Sequence, residues 1–377
     1  MSEVKVITNF CPHYRVKLFE ELHNSINVEF LFFSEGNELF WNKRIPIEKG
    51  KFNSKNIKGI NIRGFRIAIG LIPKLFDRES KVIVKCIGGK FELPITFLIS
   101  KLIRKKFILW TGMWSHPNTF IHRCTFPFTR YIYNKADAIV VYGTHVKDYL
   151  CSLGVDHNKI FIAWQTVDNT KFNQVIATDI IHRKRKTLEV NDNEKMILCI
   201  SRLVEEKGLK YLIEAISRAT IRSGIRLVII GDGELEKELM DLADELGVNI
   251  KILRYIPNDE INEVIASCDL FVLPSITTST FKEPWGLVIN EVMNQGRPIV
   301  VSDAVGAGVG GLIRDGENGV VFEEKDTEGL ARLIDKILSQ KDYADYLGIN
   351  AKDTIKDWTY DRMAAGFKDA IKFVLNK

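Results

Sequence analysis

Four side chains raise the question of chemistry: Arg202 and Lys207 in "RLVEEKG", and Glu283 and Glu291 in "EPWGLVINE". The two cations follow the apolar run "MILCIS" and open a helical pattern. A basic pair beside a helix start suits a diphosphate, because the cations converge with the N–H groups of the first turn. The two acids stand eight residues apart, with Trp285-Gly286 turning the chain after the first. A carboxylate accepts two hydrogen bonds, which suits a vicinal diol such as that of a ribose or hexose. A bland surface accounts for parts of this. Arg202 and Lys207 have Glu205 and Glu206 as neighbours, and a first-turn acid such as Glu291 gains about 0.3 to 1 kcal/mol from the helix dipole. It does not account for the whole arrangement. Cations for phosphates together with carboxylates for diols describe a nucleotide sugar.

Such residues need a scaffold that brings loop ends together. In the second half, apolar runs alternate with segments of 3.6-residue period: "KMILCIS" with "GLKYLIEAISRA", "RLVIIG" with "ELEKELMDLADEL", "IKILRY" with "DEINEVIASC", and "LFVLPS" with "GLVINEVMNQ", followed by "PIVVSD" and "GVVF". Continuous apolar strands between amphipathic helices are βαβ units on a parallel sheet. The first half repeats the theme in "KVITNF", "VEFLFF", "SKVIVKC", "KKFILW" and "ADAIVVYG". The chain of 377 residues is too long for one ordinary core. The expected class is α/β, with two Rossmann-like, doubly wound domains facing a cleft. One is expected at 1–170 together with about 358–377, the other at 171–357. The polar stretch "WQTVDNTKFNQVIATDIIHRKRKTLEVNDNEK" forms the seam, and the helical pattern of "WTYDRMAAGFKDAIKFVLNK" crosses back to the first domain. Ligands of open α/β sheets sit at the carboxyl ends of strands. "GDGELEK" follows such a strand but lacks the third glycine of a dinucleotide fingerprint, so a tight turn is its first reading.

Bulk properties narrow the class further. Hydrophobic content of 46% with 27% charge is that of a globular chain. The six cysteines (Cys11, Cys86, Cys124, Cys151, Cys199 and Cys268) show no metal or disulfide spacing, which points to a reducing cytosol. The sequence runs from Met1 into a strand-like segment with no targeting signal. Its most apolar region is interrupted by Lys101, Arg104, Lys105 and Lys106, short of the about 20 apolar residues a span needs. The net charge is +5. Two stretches, "NKRIPIEKGKFNSKNIKGINIRGFRIAIGLIPKLF" and "ISKLIRKKFILW", interleave cations with apolar residues. Taken together they suit an anionic membrane surface better than nucleic acid, for which no recognised motif is present.

The motifs "ISRLVEEKGLKYLIEA", "IIGDGELEKEL", "DLFVLPS", "EPWGLVINEVMNQGRPIVVSD" and "GENGVVF" resemble the family-4 retaining glycosyltransferases of the GT-B fold, nearly continuously from 195 to 340. The resemblance implies roles residue by residue. Arg202 and Lys207 would bind the donor diphosphate, Glu291 the ribose, and Glu283 the transferred sugar near its anomeric carbon, as nucleophile or as stabiliser. The backbone of Trp285, Gly286, Leu287 and Val288 would complete the phosphate and sugar contacts, and Tyr255 and Ile256 occupy the place that holds the base.

Two departures concern the N-terminal half. The family's glycine-rich first loop is replaced by "NFCPHYRVKLFEEL", which makes His13, Tyr14 and Arg15 acceptor-side candidates. Its usual histidine is out of frame, and "FILWTGMWSHPNTFIHR" offers His116 as the catalytic or acceptor contact and His122 as a structural residue. "AWQTVDNTKF" carries Gln165 where the family usually has Asn. No two aspartates lie two apart, so no metal and no other cofactor is expected. The expected partners are a nucleotide sugar and a glycan or lipid-linked acceptor. The expected location is the cytoplasm, at the inner face of a membrane. The competing readings are a non-catalytic nucleotide-sugar-binding protein of the same fold, a phosphorylase or epimerase, and a dinucleotide oxidoreductase, which the incomplete glycine fingerprint argues against.

Overall fold

The computed structural model describes residues 3–34, 50–62 and 65–376. Part of the first basic stretch, 42–49 and 63–64, lies outside the described residues. The chain divides into two compact units. Unit 1 draws on Met1–Gly112, Phe120–Gln165 and Thr359–Lys377, and unit 2 on Met113–Thr119 and Thr166–Trp358.

Unit 1 holds β1 (Val4–Thr8), β2 (Val28–Phe32), β3 (Asn53–Asn56), β4 (Ile60–Ile62), β5 (Phe65–Ile67), β6 (Val82–Cys86), β7 (Lys106–Thr111), β8 (Ala138–Val141) and β9 (Ile160–Ile162). Seven of them form one parallel sheet in the order β3-β2-β1-β6-β7-β8-β9, and β4 and β5 pair as a separate antiparallel hairpin. A parallel sheet covered on both faces has central strands that are apolar throughout, and every residue of β1 and β2 is buried. On one face the helices Val16–Ile26 and Tyr360–Leu375 supply Phe19, Leu22, Met363, Phe367 and Ile371 to a core with Val6, Phe30 and Val84. Phe367 stands edge-on to Trp110 at 5.1 Å, and truncating such a residue costs about 3 to 5 kcal/mol. The opposite face carries the helix Leu71–Leu75 over Ile7, Leu31 and Ile83. β3 is exposed along its whole length, and its polar residues suit a sheet edge.

Unit 2 holds β10 (Lys195–Ile200), β11 (Ile225–Ile230), β12 (Ile250–Leu253), β13 (Leu270–Leu273), β14 (Ile299–Ser302) and β15 (Val320–Phe322). They form a parallel sheet in the order β12-β11-β10-β13-β14-β15. The strand order reverses between β10 and β13, as it does between β1 and β6 in unit 1. Loops leaving the carboxyl ends of strands at such a reversal part to opposite sides and leave a crevice between them. The seam read from the sequence differs in one respect. Within it the helix Thr178–Thr187 forms in unit 2 with no buried residue. Its inner face is only partly buried and is shared by Ile180 and Ile181 with Lys184 and Arg185, which pair with Glu260 and Asp269, so no apolar stripe marks its period in the sequence.

Candidate functional site

In unit 2 the strands at the reversal deliver the two loops of interest. After β10 the chain turns through Ser201 and Arg202 to the short 3₁₀ segment Glu205–Lys207, and the helix Leu209–Arg218 follows. Gly208 between them has φ +64, and a Cβ there would meet the Pro274 carbonyl oxygen at 2.1 Å. Only glycine permits that approach, and Pro274 opens the loop that follows β13. The Ile276 N–H donates to the Glu206 carbonyl at 2.9 Å, so the two loops are joined by backbone contacts. The "GDG" segment serves the same wall. The Leu203 N–H donates to the Asp232 carbonyl at 2.8 Å, and the Leu235 N–H to the Leu203 carbonyl at 3.1 Å. These are the contacts of a turn packed on its neighbour.

That junction brings Lys207 to Glu283. The ammonium donates to Glu283 Oε2 in an ion pair whose side chains are almost closed to solvent. Arg202 donates from Nη2 to Glu206 Oε1 at 2.9 Å and is half-buried. Both cations are therefore held by carboxylates. Glu283 runs alongside the loop after β14: its carbonyl accepts from the Gly306 N–H at 3.1 Å, and that of Trp285 from the Ala307 N–H at 2.8 Å. Gly286, with φ +85, then turns the chain into the helix Val288–Asn294. The first turn of a helix leaves N–H groups without intrahelical acceptors, and Gly286, Leu287 and Val288 occupy that position. The Trp285 side chain is buried, with its indole N–H on Asn290 Oδ1 at 2.9 Å and its ring 5.6 Å from that of Trp358. Only its backbone is therefore placed for a ligand.

Glu291 lies in the first turn of this helix. It is only partly accessible to solvent, and burial of its carboxyl raises the pKa to about 7 against the opposing pull of Lys171. A carboxylate so poised changes charge near neutrality. Tyr255 and Ile256 follow β12, at the edge of the sheet, and Tyr255 is exposed. His116 belongs to the segment Met113–Thr119 of unit 2. That segment is fastened to the Glu283 loop by the Trp114 indole N–H on the Glu283 carbonyl at 3.0 Å and the Asn118 N–H on the Ser279 carbonyl at 2.6 Å. Lys282 caps the Trp114 ring at 3.9 Å. His122, in contrast, sits in the helix Phe120–Lys135 of unit 1.

In unit 1, His13, Tyr14 and Arg15 form a 3₁₀ turn just beyond β1. His13 is exposed and Tyr14 half-buried, while Arg15 is buried with its guanidinium 4.9 Å over the Trp110 ring and 5.6 Å over Tyr142. The structure adds residues that the sequence reading passed over. Lys85, in the last turn of residues of β6, is fully buried, with its ammonium on the carbonyls of Cys86 at 2.8 Å and Gly88 at 2.6 Å and 4.4 Å over the Phe33 ring. A lysine inside an apolar strand, followed by Gly88-Gly89, was the available signal. Among the described residues no cluster of three or more His, Cys, Asp or Glu side chains is placed to hold a metal ion.

With this geometry in place, three comparisons bear on it. An uncharacterised glycosyltransferase of Methanocaldococcus jannaschii is 30% identical over 260 residues, 67% of this chain and 63% of that protein. A GDP-mannose-dependent alpha-(1-6)-phosphatidylinositol monomannoside mannosyltransferase of Mycobacterium tuberculosis is 26% identical over 212 residues, 55% of this chain and 54% of its own length. The matches thus span roughly half to two thirds of these relatives. In three dimensions, the Anabaena protein HepE in complex with UDP superposes with a TM-score of 0.76 at 17% identity, covering 99% of this chain and 100% of that one. The shared fold is GT-B, with two Rossmann-like parallel-sheet domains. Residues 181–354, which contain Arg202, Lys207, Glu283 and Glu291, match the glycosyl transferases group 1, so the segment that carries the candidate site is similar to that family.

Proposed function

We propose that the protein is a family-4 glycosyltransferase that moves a hexose-type sugar from a UDP- or GDP-sugar to a glycan or lipid-linked acceptor, with retention and without a metal ion. The observation that carries the reading is the Lys207–Glu283 pair beside Arg202, where two strands flank a reversal of sheet order. As the bond from the anomeric carbon to the phosphate oxygen lengthens, negative charge grows on the departing diphosphate and positive charge on the sugar. Arg202 and Lys207 meet the first charge and Glu283 the second. The phosphate draws Lys207 from its carboxylate partner, which leaves Glu283 ionised beside the anomeric centre. Glu291 accepts the ribose hydroxyls, the backbone N–H groups of Gly286 to Val288 assist the diphosphate, and Tyr255 and Ile256 hold the base. His116, on the segment fastened to the Glu283 loop, contacts the sugar or acceptor. His13, Tyr14 and Arg15 serve the acceptor side.

The UDP carried by the Anabaena protein and the GDP-mannose named for the mycobacterial relative support a nucleotide-sugar donor. The phosphatidylinositol acceptor named for that relative supports a glycolipid or polysaccharide product. Among the described residues no helix is long and apolar enough to cross a membrane. Ile69, Ile72, Phe76, Leu98 and Leu102 are nevertheless exposed in unit 1 near Lys74, Lys101 and Arg104, a composition that suits work at the inner face of a membrane.

The test is a panel of UDP-, GDP- and ADP-sugars scored by thermal shift, followed by transfer assays with and without EDTA. The expected outcome is stabilisation by one donor and activity that survives the chelator. Proton NMR of the new linkage is expected to show the donor's anomeric configuration. An inverted product, or activity lost to EDTA and restored by Mn²⁺ or Mg²⁺, would overturn the mechanism.

A further inference from the structure

A cavity of unit 1 lies away from the loops described above. It occupies ≈ 540 Å³ at the amino ends of β6 and β7, where Lys81 precedes one strand and Lys106 begins the other. Its wall carries five cations, Arg78, Lys81, Arg104, Lys105 and Lys106, and one carboxylate, Asp77. Asp77 is already engaged by Lys5 at 2.5 Å, Lys105 at 3.0 Å and the Ser80 hydroxyl at 2.7 Å. Lys81 pairs with Glu3 at 2.7 Å. Among the described residues Arg78, Arg104 and Lys106 make no ion pair. Three cations therefore converge on one hollow with no acid to answer them, although like charges repel and would be expected to disperse.

The backbone gives a second, independent sign. Arg104 has φ +57, one of four non-glycine residues with positive φ among the described residues. It follows the helix Glu92–Leu102 at the point where a helix commonly ends on glycine. A side chain kept in the left-handed region carries a cost that glycine would not, and here that side chain is a cation on the cavity wall. The rim is apolar: Phe76 and Leu375 line the cavity and are exposed, and Leu102 beside it is 77% exposed.

We propose that this cavity binds a phosphate-bearing anion, with Arg78, Arg104 and Lys106 as its contacts. A guanidinium presents a planar fork to two phosphate oxygens, and a hollow of this size admits a phosphate together with the small group that carries it. The same chemistry is offered by a phospholipid headgroup, whose acyl chains would meet the apolar rim, and by a soluble phosphate ester. The site stands apart from the donor chemistry, and a failed transfer assay leaves it untouched.

The substitution Arg104→Gly separates binding from folding, because it removes the charge and relieves the backbone. Its thermal midpoint is expected to equal or exceed that of the wild type. Lys135→Ala removes an equal charge elsewhere in unit 1 and serves as the control. Two ligands are offered to the full chain: vesicles of phosphatidylcholine with and without phosphatidylglycerol, followed by flotation, and glycerol phosphate in solution, followed by calorimetry. Binding to either that weakens about fivefold in Arg104→Gly, the loss of roughly one surface cation, but not in Lys135→Ala, supports the site. The vesicle arm then identifies a lipid source and the calorimetric arm a soluble one. If neither ligand binds, or if both variants weaken binding equally, the proposal is overturned.

Discussion

The cations of the two units stand in opposite conditions. In unit 2, Lys207 and Arg202 are each held by a carboxylate, in a loop junction largely closed to water. In unit 1, Arg78, Arg104 and Lys106 line an open cavity and make no ion pair among the described residues. A held cation must exchange partners when an anion arrives, so its affinity is a difference between two interactions, and an anion that cannot also satisfy the abandoned carboxylate gains little. An unanswered cation supplies its whole attraction to any anion and is open to screening by salt. The first arrangement favours discrimination and the second favours capture.

The sharpest way to break this contrast is Glu283→Gln. It is expected to lower the turnover number by about 100- to 1000-fold, as for loss of one preorganised charge contact. It should also leave nucleoside diphosphate affinity unchanged or tighter, because Lys207 is released. A variant at wild-type speed would remove Glu283 from the chemistry. Next in size, Lys207→Ala is expected to weaken nucleoside diphosphate binding by about 1.5 to 3 kcal/mol in calorimetry. Equal affinity in wild type and variant would show that the pair is structural only.

A third measurement uses pH. The unfolded Glu291 carboxyl ionises near its ordinary value of 4.5 and the folded one at about 7. Between these values folding takes up a proton, so stability falls as pH rises through the window. Above it the loss is on the order of 3 kcal/mol. Glu291→Gln is therefore expected to melt higher than the wild type at pH 8 and alike at pH 4. If the ionised carboxylate holds the ribose as proposed, nucleoside diphosphate binding should weaken in the wild type as pH falls below 7 and stay flat in the variant. The smallest effect is that of salt. Raising ionic strength shortens the Debye length from about 10 Å to about 3 Å between 0.1 and 1 M. That should loosen anions from the unit 1 cavity several-fold and leave the melting of Glu283→Gln and wild type separated by the same interval.

The two units also differ in what their sequence discloses. Unit 2 is legible because its strands are largely apolar runs that alternate with helices, Arg202, Lys207 and Glu283 fall in the loops after two of them, and Glu291 falls in the helix that follows. The Lys207–Glu283 pair was not legible, since it joins positions 76 apart through the close approach of Gly208 to Pro274. Glu291 could be read as an acid at a helix start, whereas its raised pKa depends on enclosure by the surrounding chain. In unit 1 the sequence misleads where charge is buried. Arg15 is enclosed by aromatic rings, and Lys85 sits inside a strand with carbonyls around its ammonium. Composition treats both as surface residues, because no local pattern distinguishes a charge satisfied by distant neighbours from one in water. The exposed strand Asn53–Asn56 was missed for the converse reason, having no apolar residue to mark it.

The helix Tyr360–Leu375 has a consequence for how the protein is made. It completes a core whose other members, among them Val6, Phe30, Val84 and Val140, are translated far earlier. All of Thr166–Trp358 leaves the ribosome in between. Unit 2 has its whole sheet in hand and can fold as soon as it emerges, while unit 1 waits with one face of its sheet uncovered by its last helix. Order of synthesis and order of completion are therefore reversed between the two units. The uncovered face is apolar and parallel-stranded, the kind of surface that aggregates or recruits a chaperone during that interval.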